Sequence, residues 1–484
     1  MCPRRSPRFK LIVLALALVL IVPIFGACGG GKKEGKLPTP STTYEKLPEP
    51  QSTITGPVEE AWIVRYAGPA EQIDELADMA VDDMGNVYAT GSVTITGSVL
   101  VDKIDDKTDV DYVTIKYGAD GTQEWAKRYD GNGGSIDLAK ALALDNEGNV
   151  LVTGTTGTVK YDGDGNLLWS AGTELAKGMD IVVDGSDCIY VTGDAGTVKY
   201  DSAGRELWNA GGGGRVIRLD SAGHVYVGCK QDSFNVVKYS SDGDMLWSRA
   251  PDVTDNLTGT LDYWYGNVRG VLAKAIGMAV DESGNVYLGG SLATDANVAD
   301  FVTMKYDVNG TQQWVDYYPG PPGRSDSGNK GSASAIMVRD SENVFVTGMN
   351  VRDDGISPYC SHYTTLRYDS DGNLGAVLLY YGEPADRWAE ARAIAADASG
   401  NLYVVGKILG GFATVKYDRE GTQVWASWSD VGYTDSPWVI AVDGSGNVYV
   451  AGSVPVGEYD YTNIMTDTFE HYYNNDFVII KYTQ

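Results

Sequence analysis

The chain has 484 residues, 43% of them apolar, and a formal net charge of −27. That balance excludes nucleic acid as a default partner, because phosphate binding needs a basic footprint, and it argues against docking on an anionic membrane surface. The three histidines, His224, His362 and His471, and the scattered cysteines give no spacing suited to a zinc site.

The chain opens on Arg4, Arg5, Arg8 and Lys10, then an uncharged apolar run over 11–25, then Gly26, Ala27 and Cys28. A basic start, an apolar stretch too short to span a bilayer and small residues before a cut are the layout of a secretory signal. Phe25-Gly26-Ala27-Cys28 resembles the lipobox of bacterial lipoproteins, which implies acylation at Cys28 and anchoring through the lipid. Residues 1–27 are thus expected to be a signal peptide. Residues 28–58 are rich in Gly, Lys, Pro, Ser, Thr and Glu and are expected to be the acylated cysteine and a flexible linker. Residues 59–484 are the expected folded unit, exported and lipid-anchored in the cell envelope. That unit keeps three cysteines, Cys188, Cys229 and Cys360. They cannot all pair, and Cys188 and Cys229 fall at opposite ends of equivalent repeat strands.

One phrase recurs through 59–484: apolar-Asp, two residues, Gly-Asn, apolar-Tyr-apolar, then Gly. It starts at Val81, Leu144, Val183, Leu219, Val280, Val338, Ala396 and Val442, reading VDDMGNVYATG in the first copy and VDGSGNVYVAG in the last. A second phrase, apolar-Lys-Tyr with a Gly turn and usually Trp, follows each copy. Examples are Lys116-Tyr117 with Trp125 and Lys305-Tyr306 with Trp314. The last copy, Lys481-Tyr482, meets the C-terminus before any Trp. The missing piece lies at the other end, where Glu60-Ala61-Trp62-Ile63-Val64-Arg65-Tyr66 resembles Glu124-Trp125-Ala126-Lys127-Arg128-Tyr129.

Each unit reads as four short strands with turn signals every 8–12 residues. Asp-x-x-Gly-Asn makes the tight turns, since Asp and Asn bond to local backbone and Gly accepts positive φ. The expectation is an all-β chain: a single β-propeller of eight four-stranded blades, closed by pairing of the N-terminal strand with the C-terminal blade.

The phrases VDESGNVYLGG and FVTMKYDVNGTQQW resemble the SBBP bacterial β-propeller repeats and are similar to NHL-type repeats. YDGDGNLLW, from Tyr161, is similar to the repeat of quinoprotein propellers. The chain lacks the vicinal cysteines of the quinone-binding enzymes and more closely resembles the non-catalytic members. The resemblance implies the fold and leaves the activity open.

The carboxylates of 162–166 and 369–372 invite a calcium reading. The EF-hand pattern also needs a Glu at its twelfth position, which here is Thr173 or Tyr380, so these segments are expected to be turns. A lysine repeated in every unit is expected to snorkel and to pair with turn carboxylates, and the repeated Trp is expected to be core. No GxSxG elbow and no nucleophile–base set is present. No catalytic residue, metal ligand or cofactor is assigned.

With strands lettered a to d outward, the insertions 93–110, 251–272, 317–331, 349–363, 380–389 and 453–476 all fall in b–c or d–a connections, on one face. They are aromatic, which suits an interface. Candidate ligand-binding residues are Tyr263, Trp264, Tyr265, Tyr459, Tyr461, His471, Tyr472 and Tyr473. Packing of these rings onto the ring's own surface is the competing reading. The expected function is non-enzymatic: a binding or scaffolding module for an envelope protein or glycan. The alternative is a propeller enzyme, hydrolase or quinoprotein-like, with a site in the central channel.

Overall fold

The computed structural model describes 58–484, apart from 69–73, 97–98, 101–102, 105–107, 132, 134–135, 173–176, 230–233, 251–272, 296–297, 321–330, 341, 353–359, 383–388, 409–410, 430–438 and 457–473. Eight four-stranded antiparallel sheets follow one another along the chain. Blade 1 is built from strand a (Asp74–Val81), b (Val87–Thr96), c (Asp109–Tyr117) and d (Gln123–Tyr129). Blades 2 to 7 lie within 139–171, 180–210, 216–249, 273–318, 331–380 and 389–429. Blade 8 takes strands a, b and c from Val439–Val442, Val448–Val456 and Asn474–Thr483, and its strand d is the N-terminal Glu59–Tyr66. Pairing runs from Glu59 opposite Thr483 to Tyr66 opposite Phe477. Strand a of every blade touches strand a of the next, and blade 8 touches blade 1, so the ring closes with the a strands innermost.

The turns take the expected form. In the first, Asp82 Oδ1 accepts from the backbone N–H groups of Met84 and Asn86, and Asn86 Nδ2 donates to Oδ2. At Asp162 the same three bonds come from Asp164 and Asn166. These bonds hold the Asp162 carboxyl below its ordinary range, the Asn166 side chain being the main cause. The carboxylate is committed to its own turn, as expected for 162–166.

The repeated Lys and Trp prove to be inter-blade docks. Trp125 Nε1 and Lys116 Nζ of blade 1 both donate to the Gly163 carbonyl on the c–d turn of blade 2, at 3.0 and 3.2 Å. The same pair of donors meets one carbonyl at Ser202, Ser241, Val308 and Ser370 in turn. At the closure, Trp62 and Lys481 converge on Ala119 of blade 1. The turn glycine of the next blade lies flat on each indole. A Cβ on Gly121 would sit 3.0 Å from Trp62, and one on Gly372 would sit 2.5 Å from Trp314. The Trp side chains are mostly half-buried rather than core, because strand d is the outer strand. Some lysines also meet turn carboxylates, as Lys160 meets Asp145 at 2.7 Å.

Blade 6 departs from this pattern and compensates for it. Ala376 stands where the Trp would be and Phe345 where most blades have Tyr. Arg339, in the place of the turn Asp, reaches blade 7 instead: its guanidinium donates to the Gly400 and Arg419 carbonyls. Elsewhere Tyr hydroxyls and the Trp–Lys pair serve those two positions, as at Gly284 and Gly163.

Cys188 sits immediately before strand b of blade 3 (Ile189–Gly193), and Cys229 immediately after strand b of blade 4 (Val225–Gly228), at opposite ends as expected. Cys188 and Cys229 are both buried.

Candidate functional site

The short a–b and c–d turns share one face of the ring, and the b–c and d–a connections share the other. The long connections therefore attach to one face, as read from the sequence. Their extents are shorter than expected, because strands continue into them. Strand b of blade 1 runs to Thr96 and its strand c begins at Asp109, inside the expected loop 93–110. Strands Asn343–Arg352 and Cys360–Tyr368 likewise invade 349–363, and Val448–Val456 and Asn474–Thr483 invade 453–476. These added rungs pair with each other beyond the conserved glycine of strand b, for example Val93 with Asp111 beyond Gly91. They also alternate polar with apolar, as paired strands do.

The rim is consequently uneven. No strand of blades 2, 3 and 4 exceeds six residues, whereas strands b and c of blades 1, 5, 6 and 8 reach nine or ten. Four side chains occupy one register position in the taller blades: Asp111, Asp300, His362 and Asp476. Of these, Asp111, His362 and Asp476 are buried. This layer was not among the expected features. The signal was present as a polar residue directly before the aromatic or β-branched run of strand c, in DVDYVTIKY and NNDFVIIKY.

All eight candidate ligand-binding residues, Tyr263, Trp264, Tyr265, Tyr459, Tyr461, His471, Tyr472 and Tyr473, lie outside the described residues, as does Cys28. Of the other loop aromatics, Tyr318 and Tyr380 are buried against Phe301 and Tyr363. For those two, packing is the observed role.

Acidic side chains also come from strand a, beside the channel. Asp78 Oδ2 accepts from the Leu142 N–H of blade 2 at 2.8 Å. Asp180 Oδ2 accepts from the Ile217 N–H of blade 4 at 2.9 Å and pairs with Arg218 at 2.7 Å. Burial pushes the Asp78 carboxyl up to about 7, against two backbone N–H bonds that lower it. Each of these acids caps an N–H on the innermost strand of a following blade, which is a tie between blades.

Among the described residues, one close group of three acids lies on the b–c/d–a face where blade 1 meets blade 2. The connection 130–137 leaves strand d and folds back onto the start of strand c. The Asp137 N–H donates to the Val110 carbonyl at 2.7 Å, and Ile136 bridges Val110. This brings carboxylate oxygens of Asp111, Asp130 and Asp137 within 4.8 Å of one another. Asp111 and Asp137 are fully buried, and Asp130 is exposed. Arg128 Nε approaches Asp111 Oδ2 at 2.8 Å. No metal ligands were assigned from the sequence, because these three acids come from two strand ends and a loop and form no local motif.

A second copy of this local architecture stands at the junction of blades 8 and 1. The Gly68 N–H donates to Asp74 Oδ2 as the Gly131 N–H donates to Asp137 Oδ2, at 2.5 and 2.6 Å. Asp476 takes the register place of Asp111. Burial raises Asp74 to about 7, partly offset by the Gly68 N–H, and Asp476 adds to the rise.

No protein-family model matches the chain, and no curated protein matches it. Solved structures that it resembles include the Dos1 propeller, at 10% identity and TM-score 0.53 over 88% of this chain and 95% of that one. A europium-containing methanol dehydrogenase is similar at 12% identity and TM-score 0.49, over 87% and 93%. At such identities the likeness establishes a distant, many-bladed β-propeller and nothing finer.

Proposed function

We propose that the protein is a non-enzymatic binding or scaffolding propeller, exported and anchored to the cell envelope through an acylated Cys28, which presents its b–c/d–a face to an envelope protein or glycan. The observation that carries this reading is the attachment of the long connections to one face of a closed ring. Connections on a rigid scaffold are where binding residues concentrate. The acids beside the channel are compatible with it, since Asp78 and Asp180 are each engaged in a bond between blades. The likeness of the repeats to SBBP propellers and to non-catalytic quinoprotein-like propellers supports the same class.

The test is affinity capture from envelope extract with the wild-type protein and with a variant carrying Tyr263→Ala, Trp264→Ala and Tyr265→Ala. The variant must first melt at the wild-type temperature. A partner retained by the wild type and lost by the variant is the expected result. Equal capture by both, or capture by neither, would remove that cluster from the binding face. Palmitate labelling of the wild type, lost in Cys28→Ser, tests the anchor.

A further inference from the structure

We propose that Asp111, Asp130 and Asp137 form a binding site for one hard divalent cation, calcium by its chemistry, at the junction of blades 1 and 2. Three observations carry it. The first is geometric: three carboxylate oxygens lie within 4.8 Å of one another. Ligands held about 2.3–2.6 Å from a common calcium ion fall within that separation.

The second is an unmet acceptor. Asp111 is fully buried; Arg128 Nε forms an ion pair with its Oδ2 at 2.8 Å, but neither oxygen accepts a well-formed hydrogen bond from a described residue, and Oδ1 is left without either. Asp109, two residues before it on the same strand, also has a buried oxygen without such a bond. Buried acceptors are normally satisfied, and an ion among them would do so.

The third comes from the twin junction. The loops 68–74 and 131–137 have the same length, both end in Ile-Asp, and both close with the same glycine-to-aspartate bond. The fold is thus built at blades 8 and 1 with two acids, Asp74 and Asp476, and an arginine, Arg65, at the place of Arg128. There, Ala67 stands in the position of Asp130, and Asn474 in that of Asp109. The architecture does not need the two further carboxylates that the blade 1–2 junction adds. Asp109, Asp130 and Asp137 each act on Asp111 as a like charge, and a divalent cation would offset that repulsion. Ligands that are all oxygen select a hard ion over zinc, and a partly exposed loop suits calcium better than the rigid octahedron of magnesium.

The experiment uses the purified full-length protein, stripped with EDTA and desalted. Calcium is titrated calorimetrically, and melting is followed in EDTA and in calcium. The expected result is one calcium per chain and a melting temperature about 3 °C higher when the ion stands at about 100 times its Kd. Asp130→Asn is the main variant, since an amide oxygen still accepts from the Gly133 N–H that Asp130 Oδ1 now takes. It should weaken calcium binding about tenfold or more. In EDTA it should melt no lower than the wild type, because one like charge is gone, and in calcium it should melt lower. Asp74→Asn, at the twin junction, should leave calcium affinity unchanged. Absence of binding by the wild type would overturn the site, as would unchanged affinity in Asp130→Asn. A loss of stability in Asp130→Asn that is the same in EDTA and in calcium would make the role of Asp130 structural and equally overturn it. An equal response to magnesium would overturn the choice of calcium.

Discussion

Replacing Trp62 by Ala removes the outer clasp of the ring without deleting any backbone. Three things are lost. The indole N–H no longer donates to Ala119, which is worth about 0.5–1.5 kcal/mol. The ring face under Gly121 is left open, and the tilted contact with Tyr449 disappears. A fully buried Trp→Ala costs about 3–5 kcal/mol. Trp62 is half-buried, so the expected loss is about 2–3 kcal/mol. A chain of this size has an unfolding entropy of about 0.9 kcal/mol per kelvin, so the melting temperature should fall by about 2–3 °C. Differential scanning calorimetry reads the shift, and limited proteolysis reads whether 59–66 detaches. Trp428→Ala, at a residue 59% exposed, is the surface control and should shift melting by less than about 0.5 °C. A Trp62 variant that melts with the wild type and resists protease equally would refute closure by this strand. Deletion of 59–66, which also removes the pairing with Asn474–Thr483, should be more severe and should cost cooperativity as well as stability.

Other expectations rest on single contacts. Gly372→Ala places a methyl 2.5 Å from the Trp314 ring at φ +86° and should lower stability by about 2 kcal/mol or more by urea denaturation. Arg339→Met keeps the stem but strips the donors from the Gly400 and Arg419 carbonyls. It should cost about 2–3 kcal/mol by the same assay, against well under 1 kcal/mol for an ordinary surface Arg→Met. Asp78 has a folded pKa raised to about 7 over an unfolded value of about 3.9. Between those values the native state keeps a proton that the unfolded chain has lost, so its contribution makes stability fall as pH rises from about 4 to about 7. Asp78→Asn, whose amide oxygen still accepts from the Leu142 N–H, should flatten that stretch of a stability-versus-pH curve. An unchanged slope would place the titration elsewhere, with Asp74 next in line.

The blade count, the turn chemistry and the ring closure were legible because each is written locally and repeated: Asp-x-x-Gly-Asn at the turns, Val-Tyr-Val in strand b, and a stray Trp62 strand matching the missing end of the last unit. What each repeated residue does was less legible. In sequence Lys116 reads as a snorkelling lysine that pairs with turn carboxylates and Trp125 as core, yet the two share one carbonyl on the neighbouring blade. The serines of strand b carry a similar hidden function. Ser92, Ser291 and Ser453 each accept an N–H from strand a of the next blade, and a lone Ser after Gly advertises nothing of the kind. The acidic junction was illegible for the same reason: Asp111 and Asp137 are brought together by a loop that folds back across a strand start, a contact that no local period encodes. The length of the rim strands was underestimated because Thr94 and Ile95 follow the repeated glycine of strand b and Val110 precedes the strand c phrase, all outside the repeated pattern.

The pairing of Glu59–Tyr66 with Asn474–Thr483 joins the first strand of the ring to the last. The opening segment therefore has no partner until the closing one has been delivered, whichever direction the rest consolidates. Contacts between such distant segments slow folding, and an unsatisfied strand edge is a hazard while it waits. A copy that lacked Asn474–Thr483 would keep most of its blades yet leave the Trp62 strand with one unpaired edge.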